Sequence, residues 1–391
     1  MELADFTADK PGELVKNLNG DWCFIPAPLP GKLAWSDELV SILGVAERAM
    51  GRLTGVGQRL PNPKLVLRSF LRREAELSSR IEGTRAGVQD MVLFEQTQAV
   101  EEHVPDVREV HNNLRAIEHG VEQVKHRPIS LSLIREMHQV LLKGVRGEDK
   151  TPGQFRTTQA HIGRTHDIAE ARFVPAPPHG IGPAMEAMES FIQAPCQLPP
   201  LVRVAMIHYQ FEAIHPFADG NGRIGRVLIL LLLCTEKVLP LPLLNPSAFL
   251  ERHRREYYDR LLNVSQRGAW AEWVTFFARG IAQEATDAVD RVESLDRLRA
   301  EYHERVQTAR ASALLPKLVD QLFVNPAITT NAAARLLRVG YTSAQKSIEK
   351  LLRLGVLKEF TGQKRNRIFI APEILSAIGG RRGRSFRGGG G

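Results

Sequence analysis

One stretch of twelve residues, 215–226, constrains the fold of this chain more than any other. It reads His-Pro-Phe-Ala-Asp-Gly-Asn-Gly-Arg-Ile-Gly-Arg. An apolar segment with helical spacing precedes it at 201–214, and a second apolar segment follows it at 227–234. Three glycines between two apolar helices favour a tight loop, because glycine adopts backbone conformations that other residues avoid. The sequence therefore predicts two buried helices joined by a short polar loop.

The polar residues of this loop suit a ligand that carries phosphate. The glycine-rich run 220–222 turns backbone amides inward at the start of the second helix, where N–H groups attract anions. Arg223 and Arg226 are three residues apart and lie on one helix face. Two arginines beside a nest of amides suit a polyphosphate.

A carboxylate and an imidazole flank this anion site. Asp219 suits a Mg2+ ion that bridges phosphate oxygens. His215 suits a base that takes a proton from an incoming nucleophile. For any one of these residues, an ordinary turn with charges for solubility is the simpler interpretation. All of them together, between two strongly apolar helices, favour a ligand site.

The stretch resembles the signature of the Fic family, H-P-F-x-[D/E]-G-N-G-R-x-x-R, at every specified position. Family members similar to this chain move a nucleotide monophosphate, most often AMP from ATP, onto a protein hydroxyl. The resemblance implies ATP as substrate and Mg2+ as cofactor, with His215 as the catalytic base and Asp219 as the metal ligand. It also implies a nucleotide site that comprises Gly220, Asn221, Gly222, Arg223, Ile224, Gly225 and Arg226.

A second informative stretch lies at 63–82, which reads as a helix that Gly83 can end. One face of this helix begins apolar and ends polar, and its members are Leu67, Leu71, Ala75, Ser78 and Glu82. The apolar stripe could simply reach the surface at its last turn. The segment 78–83 nevertheless resembles the inhibitory motif [S/T]-x-x-x-E-[G/N] of Fic proteins. That resemblance implies that Glu82 and Ser78 are inhibitory, with Glu82 paired to Arg226 where the γ-phosphate of ATP would bind.

Two further segments contribute to the predicted site. The segment 150–163 is rich in threonine, glycine and glutamine and fits a hairpin or extended flap. Family members resemble this chain in a Gly-x-[Y/F]-Arg run, here 153–156, that leads to a flap which aligns the target by main-chain pairing. The resemblance implies a flap tip at Ala160, His161, Ile162 and Gly163, although His161 could be a plain surface histidine. It also implies an aromatic pair near the adenine, Tyr257 and Tyr258, of which one could equally belong to the core.

The C-terminal part differs from the rest in charge and pattern. Residues 311–391 contain 14 Lys or Arg and 4 Asp or Glu, which gives them a net charge of +10. Since the whole chain carries +8, the first 310 residues sum to −2. Two short helices, at 330–337 and 342–352, precede a basic hairpin at 356–370, an order that resembles a winged helix. The second helix would offer Gln345, Lys346 and Lys350 to DNA. Winged helices also dock proteins, so both kinds of partner stay open.

Composition narrows the remaining possibilities. The hydrophobic fraction of 43% and the charged fraction of 25% are typical of a globular protein. The three cysteines, Cys23, Cys196 and Cys234, are scattered and odd in number, which indicates neither a disulfide framework nor a zinc site. We see no secretory signal and no apolar run near the roughly 20 residues that span a bilayer. The expectation is a cytoplasmic protein without a membrane partner.

The sequence therefore predicts a mainly α fold, with a Fic-type helical core, a small β-hairpin flap and a C-terminal winged helix-turn-helix domain. The expected parts are an N-terminal region at 1–105 with an inhibitory helix at 63–83, and a catalytic core at 106–291. A helical linker at 292–310, a winged-helix-like domain at 311–376 and a disordered basic Gly/Arg tail at 377–391 follow. The expected function is a protein adenylyltransferase that acts on a Ser, Thr or Tyr hydroxyl of a target protein or of itself. The alternative is a DNA-binding transcription regulator with a Fic-like nucleotide-sensing core. A homodimer, another nucleotide, phosphocholine transfer and the reverse removal of AMP stay open.

Overall fold

The computed structural model describes residues 1–97, 105–163, 167–309, 313–363 and 365–379. Within them the chain is mainly helical, as predicted. The helices are α1 (Asp37–Arg59), α2 (Pro63–Ile81), α3 (Val88–Thr97), α4 (Pro105–Gln123), α5 (Leu131–Leu141), α6 (Pro178–Gln193), α7 (Pro200–Ile214), α8 (Asn221–Thr235), α9 (Pro246–Arg252), α10 (Arg254–Arg267), α11 (Trp270–Thr308), α12 (Leu315–Val324), α13 (Thr330–Leu337), α14 (Tyr341–Arg353) and α15 (Pro372–Gly379).

Five short strands complete the described elements. They are β1 (Gly12–Lys16), β2 (Trp22–Pro26), β3 (Ala327–Thr329), β4 (Lys358–Glu359) and β5 (Ile368–Ile370). Strands β1 and β2 form an antiparallel hairpin, and the other three form an antiparallel sheet in the order β3-β5-β4. The segment that begins at Trp22 is thus one arm of a hairpin.

Local signals explain where several helices begin and end. The Ser36 and Ser130 hydroxyls accept hydrogen bonds from Leu39 N and Leu133 N, so they cap α1 and α5. Gly83 follows α2 with a φ of +97°, a conformation that glycine adopts without strain. Helix α1 continues to Arg59, and it contacts α11 along much of its length. Helices α3 and α6 were not predicted.

The centre of the fold is the pair α7 and α8. Nearly every side chain of both helices is buried, because α2, α4, α5, α6, α10 and α11 pack around them. Helices α9 and α10 follow the pair and meet at His253. Helix α11 runs unbroken for 39 residues from the core to the C-terminal part.

The C-terminal part has the element order helix, strand, helix, helix and two strands, followed by α15. Two helices before a hairpin agree with the order from which we predicted a winged helix, and that assignment stays a prediction. This part lies directly on the body of the protein, since α12 and α15 pack against α2 and α11. Helix α15 reaches Gly379, three residues into the predicted tail, and the remainder of that tail lies outside the described residues. In the described parts, helices long and apolar enough to span a membrane are absent.

Candidate active site

The loop between α7 and α8 has a residue in the left-handed backbone conformation at each end. His215 ends α7 with a φ of 52°, and Gly220 begins α8 with a φ of 76°. The Asn221 side chain lies inside the loop, where Oδ1 accepts from Phe217 N at 2.8 Å and Nδ2 donates to Phe217 O at 2.7 Å. The buried amide of Asn221 therefore shapes the loop by replacing the backbone partners that this turn cannot supply.

Two side chains from outside the signature also brace the loop. The buried Arg156 guanidinium donates through Nε to His215 O at 2.8 Å and through Nη2 to Ile214 O and Ala176 O. His138 accepts from Gly153 N at Nδ1, so its Nε2 is the donor to Asp219 O at 2.9 Å. The sequence reasoning missed both roles. The Gly153–Arg156 run hinted at Arg156, and no local signal marked His138.

His215 faces the cleft and is partly exposed. Burial of the ring and the nearby Arg156 charge lower the pKa of His215 to about 4. The imidazole is therefore neutral near pH 7 and is able to accept a proton, which is the state a general base requires.

Arg223 lies between two carboxylates. Its Nη2 is 3.3 Å from Asp219 Oδ1, and its Nη1 is 3.6 Å from Glu109 Oε2 on α4. Nε and Nη1 of Arg223 are buried without a hydrogen-bond partner among the described residues. A buried guanidinium with donors to spare suits an incoming anion.

Arg226 is held by Ser78 and Glu82, at the C-terminal end of α2. Its Nε donates to Ser78 Oγ at 2.9 Å, and its Nη2 donates to Ser78 O at 3.0 Å and to Glu82 Oε1 at 2.6 Å. The Glu82 carboxylate lies against the first turn of α8, so closely that a Cβ at Gly222 would collide with Glu82 Oε1. Glu82 thus occupies the place at the helix N-terminus where an anion is expected to bind.

Two carboxyl groups in the cleft respond oppositely to their surroundings. Burial disfavours ionised Glu82, but the charge and hydrogen bond of Arg226, together with the charges of Arg223 and Arg254, hold the pKa of Glu82 below its usual value. Glu212 lies on α7 against Gly225, and burial raises the pKa of Glu212 to about 7 despite the Arg226 charge. The sequence analysis did not identify Glu212, whose side chain lines the same cleft.

Some of these residues line a cleft of about 1360 Å³, but Asp219, Gly220, Asn221 and Arg223 are not among its lining residues. The predicted residues that line it are Glu82, His161, Ile162, Gly163, His215, Gly222, Arg226 and Tyr258. Ile162 pairs with Phe173 in an antiparallel bridge, with N–H to O distances of 2.8 and 3.1 Å, so the predicted flap lies over the cleft as extended backbone. Residues 164–166 lie outside the described residues.

Some predicted nucleotide contacts do not reach the cleft. Tyr257 is fully buried and its hydroxyl is 2.8 Å from His208 Nε2, so of the aromatic pair only Tyr258 lines the cleft. Ile224 is buried in the core, and Gly225 lies against the Glu212 carboxylate because a side chain there would collide with it. The position of Ile224 and Gly225 indicates helix packing rather than ligand contact.

Asp219 is the one predicted metal ligand in the loop. The Asp219 side chain is 35% exposed at the loop, and clusters of three or more His, Cys, Asp or Glu are absent from the described residues. Mg2+ commonly binds through one or two carboxylates together with substrate phosphates. Asp219 therefore fits a Mg2+ ion that arrives with a nucleotide, and a metal site formed by protein ligands alone is not present in the described part of the chain.

A neutral histidine, a buried arginine and a carboxylate thus lie in one cleft of a helical fold. Residues 40–122 match the Fic/DOC family N-terminal domain, and residues 128–233 match the Fic/DOC family domain. These two matches place a Fic/DOC N-terminal domain and a Fic/DOC domain next to each other in this chain.

Individual relatives agree with this placement. The chain is 28% identical over 171 residues to protein adenylyltransferase fic-1 of Caenorhabditis elegans, an alignment that covers 42% of this chain and 30% of that protein. It is 25% identical over 216 residues to a probable protein adenylyltransferase of Aquifex aeolicus, which covers 55% of this chain and 60% of that protein. Its fold is similar to a crystal structure of a Fic family protein from Desulfovibrio desulfuricans, with a TM-score of 0.55, 18% identity and coverage of 87% and 97%.

The two cleft carboxylates predict opposite pH dependences of stability. Because the folded pKa of Glu82 lies below 4.5, its ion pair stabilises fully above that pH and is lost as the pH falls further. The folded pKa of Glu212 is about 7, so its ionisation destabilises the fold as the pH rises from 4.5 to 7. We expect the difference in melting temperature between the parent and Glu82→Gln to stay constant above pH 5 and to shrink below pH 4.5.

The matched variant is Glu212→Gln. Its melting temperature should rise relative to that of the parent as the pH increases from 4.5 to 7. Melting curves of the three proteins at several pH values test both expectations. A Glu82→Gln difference that disappears between pH 5 and 7 would contradict the assigned ion pair.

Proposed function

We propose that this protein is an adenylyltransferase that transfers AMP from ATP to a hydroxyl side chain of a protein. One observation carries the proposal: Arg226, in the second turn of α8, lies in the same cleft as the neutral His215 and is paired with a carboxylate. The match to the Fic domain and the relatives described as protein adenylyltransferases support it. The alternative, a regulator that only senses nucleotide, gives no role to a histidine base.

In this proposal ATP lies across the loop with its phosphates on the amides at 220–222. Arg223 binds the α- and β-phosphates and Arg226 the γ-phosphate, through the charge-assisted hydrogen bonds that guanidinium groups form with phosphate. Asp219 would hold Mg2+, which supplies charge neutralisation of the departing pyrophosphate. Burial of Arg223 and Arg226 strengthens both contacts, because few waters compete for them.

His215 then removes the proton from a Ser, Thr or Tyr hydroxyl, and that oxygen attacks the α-phosphorus. The new P–O bond forms as the bond to the β-phosphate oxygen breaks and pyrophosphate leaves. The target segment would pair with the extended flap at Ala160, His161, Ile162 and Gly163, since exposed strand edges bind peptides by main-chain hydrogen bonds. The target can be another protein or a second copy of this chain, and we propose a cytoplasmic location.

Glu82 would act as an inhibitor in this mechanism. A guanidinium whose Nε and Nη2 donate to Ser78 and Glu82 has no full fork left for a γ-phosphate. ATP would then bind in a non-reactive position, or without its γ-phosphate in place, until α2 moves.

DNA is a second proposed partner, through the C-terminal domain. Lys346 is exposed on α14, Lys350 lies one turn further on, and Arg365 and Arg367 belong to the adjoining hairpin. Cations on a helix and a neighbouring hairpin match the phosphate contacts of helix-turn-helix proteins. The net charge of the C-terminal part agrees with this arrangement.

The first prediction concerns the base. His215→Ala should leave the fold and ATP binding nearly unchanged and lower AMP transfer by about 10²–10⁴-fold, as removal of a general base typically does. The measurement is incorporation of label from α-labelled ATP with Mg2+, alongside ATP binding by calorimetry. Transfer at the parent rate in His215→Ala would show that another group is the base.

The second prediction concerns inhibition. Glu82→Gly frees Arg226, so labelling should rise by about tenfold or more, which corresponds to roughly 1.4 kcal/mol or more of lost inhibition. Adding Arg226→Ala to Glu82→Gly should reverse the gain. If Glu82 only stabilises the fold, Glu82→Gly would instead melt earlier and label no faster, with no dependence on Arg226.

The third prediction concerns DNA. In the full chain, Lys346→Ala with Lys350→Ala should weaken binding to duplex DNA and lower the slope of log K against log salt by about 2, one for each lost phosphate contact. The control is Lys317→Ala, an exposed lysine on α12. An unchanged slope in the double variant would place the DNA site elsewhere or remove it.

A further inference from the structure

The helix that carries Glu82 also holds the C-terminal domain. Arg72 of α2 is fully buried, and its Nη1 donates to Val324 O, at the end of α12, at 2.6 Å. Nη2 of Arg72 contacts Glu95 Oε2 of α3 at 2.5 Å, and Asn325 Nδ2 donates to the same carboxylate oxygen at 3.1 Å. One buried arginine therefore joins α2, α3 and the end of α12.

The neighbouring arginine makes a similar contact with another helix end. Arg73 Nη1 donates to Ile378 O at 3.0 Å and to Gly379 O at 2.5 Å, the last carbonyls of α15. Carbonyls at a helix C-terminus lack partners within the helix and carry partial negative charge, so a guanidinium satisfies both needs. Ser69 adds a third contact, from its Oγ to Phe323 O at 3.4 Å.

These contacts lie on the same continuous helix as the inhibitory group. Arg72 and Glu82 are ten residues apart, which corresponds to about 15 Å along a helix axis. The middle of α2 therefore contacts the C-terminal domain while its end contacts Arg226 through Ser78 and Glu82. A helix this short shifts as one body, because its backbone hydrogen bonds link each turn to the next.

We propose that the C-terminal domain, through Arg72 and Arg73, keeps α2 in the position in which Glu82 holds Arg226. Arg72 and Arg73 are then positioning residues for the inhibitory contact, and this role rests on the proposed function. Separation of the C-terminal domain from α2 releases Glu82 from Arg226. By reciprocity, any ligand of that domain that weakens its contact with α2 is an activator.

The experiment compares labelling from α-labelled ATP in the full-length parent, Arg73→Ala, Glu82→Gly and the double variant. Arg73→Ala should label at least about fivefold faster than the parent, the lower range of typical coupling between sites. On the Glu82→Gly background the same change should add nothing, because the contact through which it acts is already gone. Arg73→Lys keeps a cation at the end of α15 and should restore most of the inhibition.

The matched control is Arg80→Ala. Arg80 belongs to the same helix and is nearer to Glu82, but its ion pair is with Glu76 of α2 itself. Because Arg80→Ala removes a contact within α2 and leaves the contacts with the C-terminal domain in place, labelling should stay within about twofold of the parent. Ser69→Ala provides a milder change at the same domain contact if Arg73→Ala folds poorly, and it should activate in the same direction.

Hydrogen exchange supplies a readout that requires no transfer. In Arg73→Ala the amides of residues 74–82 should exchange faster than in the parent, while those of α7 and α8 should not change. Unaltered exchange at 74–82, or equal activation with and without Glu82, would overturn the coupling. Strong labelling by Glu82→Gly with parent labelling by Arg73→Ala would also overturn it. No labelling in any variant would count against the proposed function, and the exchange measurement would still judge the coupling.

Discussion

The fold depends on satisfying the backbone of a buried loop that has no secondary structure of its own. Peptide groups removed from water require partners, and a loop with two left-handed residues cannot supply them itself. Arg156, His138 and Asn221 supply them with side-chain donors and acceptors. Each comes from a different element, so the loop takes its shape only when α5, α8 and the flap region are assembled. The site is therefore rigid before any nucleotide arrives, which is what a phosphate site requires.

Within that rigid frame, the arginines of α8 differ in what they face. Arg223 lies between Glu109 and Asp219, and two of its nitrogens have no hydrogen-bond partner among the described residues, whereas Arg226 donates to Ser78 and Glu82. Both arginines face carboxylates, but the contact of Arg226 with Glu82 is the shorter, at 2.6 Å. In the proposed function an anion must compete with Glu82 for Arg226, which makes Arg226 the proposed point of control.

Much of this arrangement is visible in the sequence because its signals are local. The signature at 215–226 fixes the loop, helical periodicity fixes α2, α7 and α8, and single residues such as Ser36, Ser130 and Gly83 fix helix ends. What sequence reasoning missed depends on distant partners. His138 meets a carbonyl 81 residues away, and burial chooses between the adjacent Tyr257 and Tyr258 in a way that no spacing reveals. Helix α1 continues through its glycines because its packing against α11, a distant partner, outweighs the low helix propensity of glycine.

In the proposed regulation, the position of Glu82 at the end of α2 links the site to distant parts of the chain. Glu82 is the C-cap residue of α2, so it moves together with the last turn of that helix. An inhibitory group on a loop would respond only to its own surroundings. A group at the end of a helix responds to every contact along that helix, and α2 is buried against α3, α4, α9 and α12. The donors Arg72 and Arg73 direct that sensitivity toward the carbonyl ends of α12 and α15, elements more than 230 residues later in the chain. In the proposed coupling, a change in how the C-terminal domain lies on α2 would therefore act on the hydrogen bond between Glu82 and Arg226.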